Sequence, residues 1–317
     1  MAEFKNRVFG CAVVKAVNAN YNADFSGQPR TLPSGTVYAT DKAFKYTVKN
    51  YIKDVYDKEK VFYFKSLNDK MNPLSLDETY KKYFKDYPKG KNKVKQEVAK
   101  NLLSCIDIRL FGATFAGETN ISVHGPVQVN HGVNVWKENN IYSEQITSPF
   151  ANKANDPEAE KGMTTIGRQA KLEEGHYLHH FSVNPQNLRD IAATAGDGCQ
   201  TLSEDDINKL KEAMRRGATW YDSASKAGCE NEMLVWVQLK DDSKIVLPNF
   251  TNLIDLQDEK EEGKCVYDFN KLKTLLDGAK DEIDSIEVYF NKQTCILLNL
   301  PNDTKQNDLQ LWRQIKN

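Results

Sequence analysis

Residues 7–17, RVFGCAVVKAV, are apolar at almost every position, and no other stretch restricts the fold as much. A strand that is hydrophobic on both faces belongs in the middle of a sheet, covered from either side. Residues 18–39, NANYNADFSGQPRTLPSGTVYA, follow as a long loop rich in Asn, Gly and Pro. A helix is expected at about 40–56, capped by Thr40 and Asp41, with Phe44, Val48, Tyr51, Ile52 and Val55 facing the sheet.

Further along, residues 58–92 are rich in Lys, Tyr and Asn and read as an insertion. A second helix at about 93–104 aligns Val94, Val98 and Leu102. The segment CIDIRLFGATF (105–115) reads as a half-buried strand, with Ile106, Ile108 and Leu110 on one face. Asp107, Arg109 and Phe111 take the other, and Gly112 ends it. Val127 and Val129 alternate around Gln128, and HYLHHFSV (176–183) is a strand. A helix near 203–216 starts at Ser203 and Asp206 in capping-box spacing and lines up Ile207, Leu210 and Met214. A strand at 232–239, a helix at about 267–277 and strands near 284–290 and 294–298 complete the chain. Without its insertions the order is strand, helix, strand, strand, helix, strand. That is the α+β, ferredoxin-like plan, shared with RNA-recognition modules.

The net charge of −1 hides an uneven distribution. Residues 1–100 carry 20 Lys and Arg against 11 Asp and Glu, whereas 101–199 balance at −4 and 200–317 at −6. Such asymmetry suits a basic face turned toward an anion; a lysine-rich surface without a partner is the alternative. On the first helix, Lys42, Lys45, Lys49 and Lys53 recur at intervals of three and four, as a cationic stripe or a solvated lysine face. Residues 141–172 hold two short β-prone stretches around a polar, Pro-containing tip. They read as a protruding hairpin or arm, or else as a disordered surface loop.

Several function classes fall away. No apolar run approaches the length of a membrane span, and the first ten residues lack a signal peptide's apolar stretch. The six cysteines are far apart, without a CxxC pair, and read as reduced thiols, so a cytoplasmic protein is expected. His176 and His180 share a strand face and His179 takes the other, but no Cys, Asp or Glu stands beside them at ligand spacing, Glu173 and Glu174 falling in the preceding turn. No metal and no cofactor is expected. There is no Walker loop, no GxGxxG and no Ser-His-Asp order, so the chain does not read as an enzyme.

Two motifs carry a resemblance. DIRLFGATFAGE followed by HGPVQV, and later TTIGRQAKLEEGHYLHHFSVNP, resemble the CRISPR-associated Cas-seven family, backbone subunits of Cascade complexes of the type I-B and I-C branch. NANYNADFSGQPR matches the family's Asn- and Gly-rich loop ending near Pro-Arg. The similarity runs from about residue 7 to 240, and D-x-R-L-F-G combined with G-P-V-Q is its specific part. The C-terminal third resembles the family only in the order of strands and helices.

The resemblance implies a single elaborated domain over 1–317. It would be an RRM-like palm with helical fingers from about 58–104, and a web and β-hairpin thumb within about 112–172. It implies a subunit that polymerises along crRNA and presents it for pairing with target DNA in antiviral defence. Its partners would be further copies of itself and the large, small and guide-end capping subunits. Under it, Lys42, Lys45 and Lys49 neutralise phosphates, and Asn18, Asn20 and Arg30 reach the backbone from the long loop. Arg109, Phe111 and Gln128 lie on or near the guide face, and Phe150, Met163 and Arg168 sit on the thumb, the first two as wedges against an unstacked base. The alternative is a type III-like backbone subunit that cleaves target RNA with Asp24, which occupies the loop after the first strand. A free RNA-recognition module is a further rival. It lacks support because neither 106–111 nor 176–183 carries paired stacking aromatics.

Overall fold

The computed structural model describes residues 2–90, 94–151 and 163–310. Its first half contains β1 (Val8–Ala19), β2 (Tyr38–Ala39), α1 (Asp41–Val55), α2 (Leu76–Phe84), α3 (Val94–Leu103) and α4 (Ile106–Phe111). Next come β3 (Gly112–Ala116), β4 (Asn120–His124), β5 (Val127–Val129), β6 (Gly132–Asn134), β7 (Ile141–Ala151) and β8 (Met163–Val183). The second half contributes α5 (Arg189–Ala195), α6 (Glu204–Trp220), β9 (Cys229–Leu239), β10 (Asp255–Leu256), β11 (Cys265–Asp268) and α7 (Asn270–Gly278). It closes with β12 (Ile283–Phe290), β13 (Cys295–Leu298) and β14 (Lys305–Asp308).

The main sheet runs β14-β12-β9-β1-β8-β6-β2, with β5 and β7 also paired to β8. β1 is antiparallel to both neighbours, Gly10 lying opposite Phe181 on β8 and Trp236 on β9. Its side chains divide between two cores. Val8, Ala12, Val14 and Ala16 join the core under the helices α1, α3, α4 and α6. Phe9, Cys11 and Val13 join the other, beneath α7 and the small sheet β10-β11-β13. Two-sided burial is why the run in β1 does not alternate in polarity.

α1 and α6 form where their spacing predicts. Thr40 Oγ1 accepts from Ala43 N at 3.2 Å, and Phe44, Val48, Tyr51 and Ile52 are buried. Ser203 and Asp206 cap α6 reciprocally, and Ile207, Leu210 and Met214 point inward. The two helices approach closely at Gly217, where a Cβ would stand 2.7 Å from the Thr47 carbonyl oxygen of α1.

One segment departs from expectation. Residues 106–111 are helical, not extended, and the strand β3 begins only at Gly112. A short run buried all round has no distinct period, so its alternation was compatible with either form. Hydrogen bonds decide it. Asp107 accepts from Phe62 N and Tyr63 N, both at 2.8 Å. Arg109 is buried, donating through Nε and Nη2 to Asp206 at 3.1 and 2.7 Å. Its Nη1 donates to Leu103 O at 2.9 Å and Gln200 Oε1 at 2.8 Å. The same carboxylate caps α6, so one ion pair fixes α4 to that helix start. Gly112 ends α4 with φ +75°, and Gly125 lies so close that a Cβ on it would sit 2.1 Å from the Phe111 carbonyl carbon. The glycine of the GPVQ motif is required by this approach.

His179 joins the sheet to α1. Its ring stacks on Phe44 at 4.8 Å between centroids, and Nδ1 hydrogen-bonds Asn130 O at 3.0 Å. Burial depresses its pKa from 6.5 to about 4.

Two outcomes follow from this packing. Arg109→Met leaves the Asp206 carboxylate buried without its partner and lowers unfolding stability by about 3–5 kcal/mol in urea titrations. A loss below about 1 kcal/mol would show that the pair is not a fastener. For His179, the unfolded chain takes up a proton between pH 6.5 and about 4 that the folded chain refuses. Stability therefore falls as pH drops through that window, by roughly 3 kcal/mol in full. Burial likewise depresses His180, which adds in the same direction. His176, whose pKa is raised to about 11, works the other way, adding stability as pH falls through 6.5 until the unfolded imidazole is fully protonated. In denaturant titrations at pH 7 and pH 5, His179→Gln flattens the difference; an unchanged slope would rule His179 out as its cause.

Candidate nucleic-acid interface

The chain leaves β1 at Ala19 and crosses to α1 through the loop 20–39, which is held from below. Asn20 Nδ2 donates to Gly27 O and Ala170 O at 3.1 and 3.2 Å. Lys226 Nζ donates to Tyr21 O at 2.5 Å, its pKa lowered by burial. Asn22 Oδ1 accepts from both Thr40 N and Thr40 Oγ1, at 2.9 and 3.0 Å, tying the loop to the start of α1.

Four neighbours meet on the outer side of this loop. Tyr142 at the base of the β7–β8 hairpin donates its hydroxyl to Asn18 Oδ1 at 3.0 Å. Gln28 Nε2 donates to Ser143 Oγ at 3.3 Å. Asp41 N donates to His131 Nδ1 at 3.2 Å, and the His131 ring lies 5.4 Å from that of Tyr38. Arg30 Nε donates to Ala23 O at 3.1 Å while its guanidinium stands 5.9 Å from the ring of Phe25, which is fully exposed. Lys42, exposed, follows Asp41 in the first turn of α1. The result is a face of loop tip, helix start and hairpin base that offers cations, side-chain amides and uncovered aromatic rings.

The expected contact residues divide. Asn18, Arg30 and Lys42 belong to this face. Asn20 is buried and anchors the loop instead. The cationic stripe on α1 turns partly inward. Lys45 Nζ pairs with Asp41 at 3.2 Å and lies 5.7 Å from the Phe111 ring, and Lys49 Nζ donates to Tyr63 O at 2.8 Å. Burial lowers the pKa of Lys49. Its aliphatic stem follows the helix and its ammonium is used internally, as long cationic side chains allow. Lys49 and Arg109 are therefore fasteners, which corrects the expectations that Lys49 neutralises phosphate and that Arg109 lies on or near the guide face. Phe111 packs half-buried against the helical core.

Gln128 is exposed, with Nε2 donating to Gly125 O at 2.8 Å. Phe150 is exposed near the end of β7 and donates its backbone N–H to Ser148 Oγ at 3.0 Å. Arg168 is exposed on β8 opposite Gln145. Met163 opens β8 opposite Ala151, and its side chain lies outside the described residues, as do residues 152–162 of the arm. The described parts of the arm, β7 and β8, pair antiparallel from Ile141↔Leu172 outward.

Asp24 serves its own loop. Its Oδ1 accepts from Ser26 N, Ser26 Oγ and Gln28 N at 2.8, 2.8 and 3.0 Å, and these bonds, that of the Ser26 side chain first, hold its pKa below the usual carboxylate value. Sequence reasoning missed Phe25, Tyr38, His131 and Tyr142. A lone aromatic among NADFSGQPR was the available signal for Phe25; the others meet only through the fold. Among the described residues no helix is long and apolar enough to cross a membrane.

Comparison with known proteins agrees with this architecture. A family model described as CRISPR-associated protein Cas7 matches residues 6–276. The fold is similar to a chain of a solved CRISPR RNA-guided surveillance complex, pre-nicking. The TM-score is 0.56 and the identity 15%, over 95% of this chain and 96% of that one. A chain of a second CRISPR RNA-guided surveillance complex gives a TM-score of 0.49 at 13% identity, over 95% and 94%. No curated protein matches the sequence.

Proposed function

The chain belongs to the CRISPR-associated Cas7 family, and on that premise we propose that it is a non-catalytic backbone subunit that binds guide RNA in a Cascade surveillance complex. In this reading β1, α1, the strands β5 and β6, β8, α6 and β9 are the ferredoxin-like palm, whose order β9-β1-β8-β6 is that of a split βαβ pair. Residues 58–104 are the fingers and the β7–β8 hairpin is the thumb. Copies stack head to tail along crRNA, a heterologous contact that does not close. The guide's bases are left to pair with target DNA, so sequence is read by the guide and only backbone and shape by the protein. Other Cascade subunits complete the assembly.

The observation that carries this reading is the convergence of the 20–39 loop, the start of α1 and the hairpin base. Arg30 and Lys42 there can neutralise phosphates, Asn18 and Gln128 can bond ribose or phosphate oxygens, and Phe25 can stack on a base. Lys45, paired with Asp41, is available only by exchanging that partner. Phe150, Met163 and Arg168 are assigned to the thumb's grip on the guide. Asp24, engaged as a loop acceptor, has no role in cutting.

Reconstitution with guide RNA tests these assignments. Arg30→Glu and Lys42→Glu each weaken binding equally for unrelated guide sequences and reduce the salt slope by about one. Phe25→Ala costs about 1–3 kcal/mol of binding. Effects confined to particular guide sequences would contradict a backbone-reading role. Deleting 150–162 impairs co-assembly on the guide while the subunit's own unfolding transition stays in place; a variant that no longer folds would make this segment core. With complementary RNA and Mg²⁺ the complex leaves the RNA intact, whereas regularly spaced cuts abolished by Asp24→Ala would overturn the non-catalytic reading.

A further inference from the structure

A second cluster joins β8 to the small sheet. His176 on β8 is fully buried, and its two ring nitrogens face different chemistry. Nε2 points at Glu174 Oε1, 3.1 Å away, and at Cys265 Sγ of β11, 3.9 Å away. Nδ1 meets Glu232 Oε2 of β9 at 2.6 Å, and Tyr267 donates its hydroxyl to the same oxygen at 2.6 Å. Glu232 reaches this position because the β1–β9 register shifts between Val13, opposite Met233, and Val14, opposite Asn231. The extra residue of a bulge has its side chain re-aimed, here at the imidazole.

We infer that Glu174, His176 and Cys265 form a Zn²⁺ site that clips β8 to β11. One carboxylate oxygen, one imidazole nitrogen and one thiolate are a donor set that zinc favours over harder divalent ions. The three donor atoms lie within 4.8 Å of one another. The edge of a tetrahedral zinc site is about 3.3–3.7 Å, so closure requires side-chain shifts of about 1 Å. The surroundings match what ligands of zinc need. A zinc-bound histidine ordinarily donates its other N–H to a carboxylate, and Glu232 stands there, itself held by Tyr267. Lys260 donates to both Glu174 oxygens, at 2.7 Å to Oε1 and 2.8 Å to Oε2, so metal binding at Oε1 leaves the ammonium on Oε2 alone.

The clip spans a long loop, since 89 residues separate the His176 and Cys265 positions. This site is independent of the guide-binding reading; it concerns the body of the subunit.

Cobalt titration of the metal-stripped full chain tests it. One Co²⁺ per chain is expected to bind with a thiolate-to-metal charge-transfer band and tetrahedral visible bands, and Zn²⁺ to displace it. Cys265→Ser, a conservative change, abolishes the charge-transfer band, and Glu232→Gln weakens zinc about 10–100-fold. Zn²⁺ also raises the Tm of the unmodified chain but not that of Cys265→Ser. Absence of the band in the unmodified chain would leave the cluster a metal-free ion network and overturn the inference. So would an unchanged band in Cys265→Ser, which would trace the signal to another thiol.

Discussion

The two-sided burial of β1 governs the rest of the molecule. A strand with apolar side chains above and below must be covered twice, and the chain supplies a helical layer on one face and α7 with a small sheet on the other. At about 25 cal/mol per Å² of apolar surface, neither layer is dispensable. The link from β1 to α1 is one of the stretches where the chain emerges from this packing. Residues 20–39 are too polar to pack as a core element, so hydrogen bonds from Asn20, Asn22 and Lys226 shape them. A loop fixed from below and bare above is suited to contact a ligand without a large ordering cost.

Charge inside the protein has a different task from charge on this loop. Arg109 and Asp206, Asp107 and the backbone of Phe62 and Tyr63, and Lys49 and Tyr63 are all interior contacts between segments. Each commits a polar group to one partner at one distance, and mispairing leaves a buried group unsatisfied. These contacts therefore specify how α4 and the segment before it seat against α1 and α6, whatever their net stabilisation. The DIRLF motif is a structural joint, and its polar residues are explained without any RNA.

Regular elements were legible wherever period and cap agreed. Thr40, Ser203 and Asp206 mark helix starts that the structure reproduces, and the faces of α1 and α6 follow their apolar spacing. The segment 106–111 was not legible, because Asp107 and Arg109 alternate as in a strand yet are buried with Ile106, Ile108 and Leu110, so polarity marks no exposed face. Lysine spacing on α1 identified a flank but not its surroundings, and it is Tyr63, Phe64 and Phe111 that turn that flank inward. The His176 cluster was invisible for another reason. Glu174 stands two residues before His176 in β8, not in a preceding turn, while Glu232 and Cys265 arrive from strands 56 and 89 residues away.

The basic balance of the first hundred residues needs a location before it can bear on function. Twelve lysines against six acidic residues fall between 58 and 100, so most of the excess belongs to the segment holding α2 and α3, not to α1. Several of these lysines have local partners, Lys81 with Glu118, Lys100 with Glu97 and Lys60 over the ring of Phe84. Exposed pairs of this kind contribute little to stability and are readily exchanged for a phosphate. Such a field acts at a distance, raising the rate of encounter with a polyanion and weakening steeply with salt. In the proposed reading the few groups on the loop face, held by specific bonds, act at contact and set the register of a backbone. On that reading steering and seating fall to different parts of the sequence, and only the second depends on the order imposed by β1.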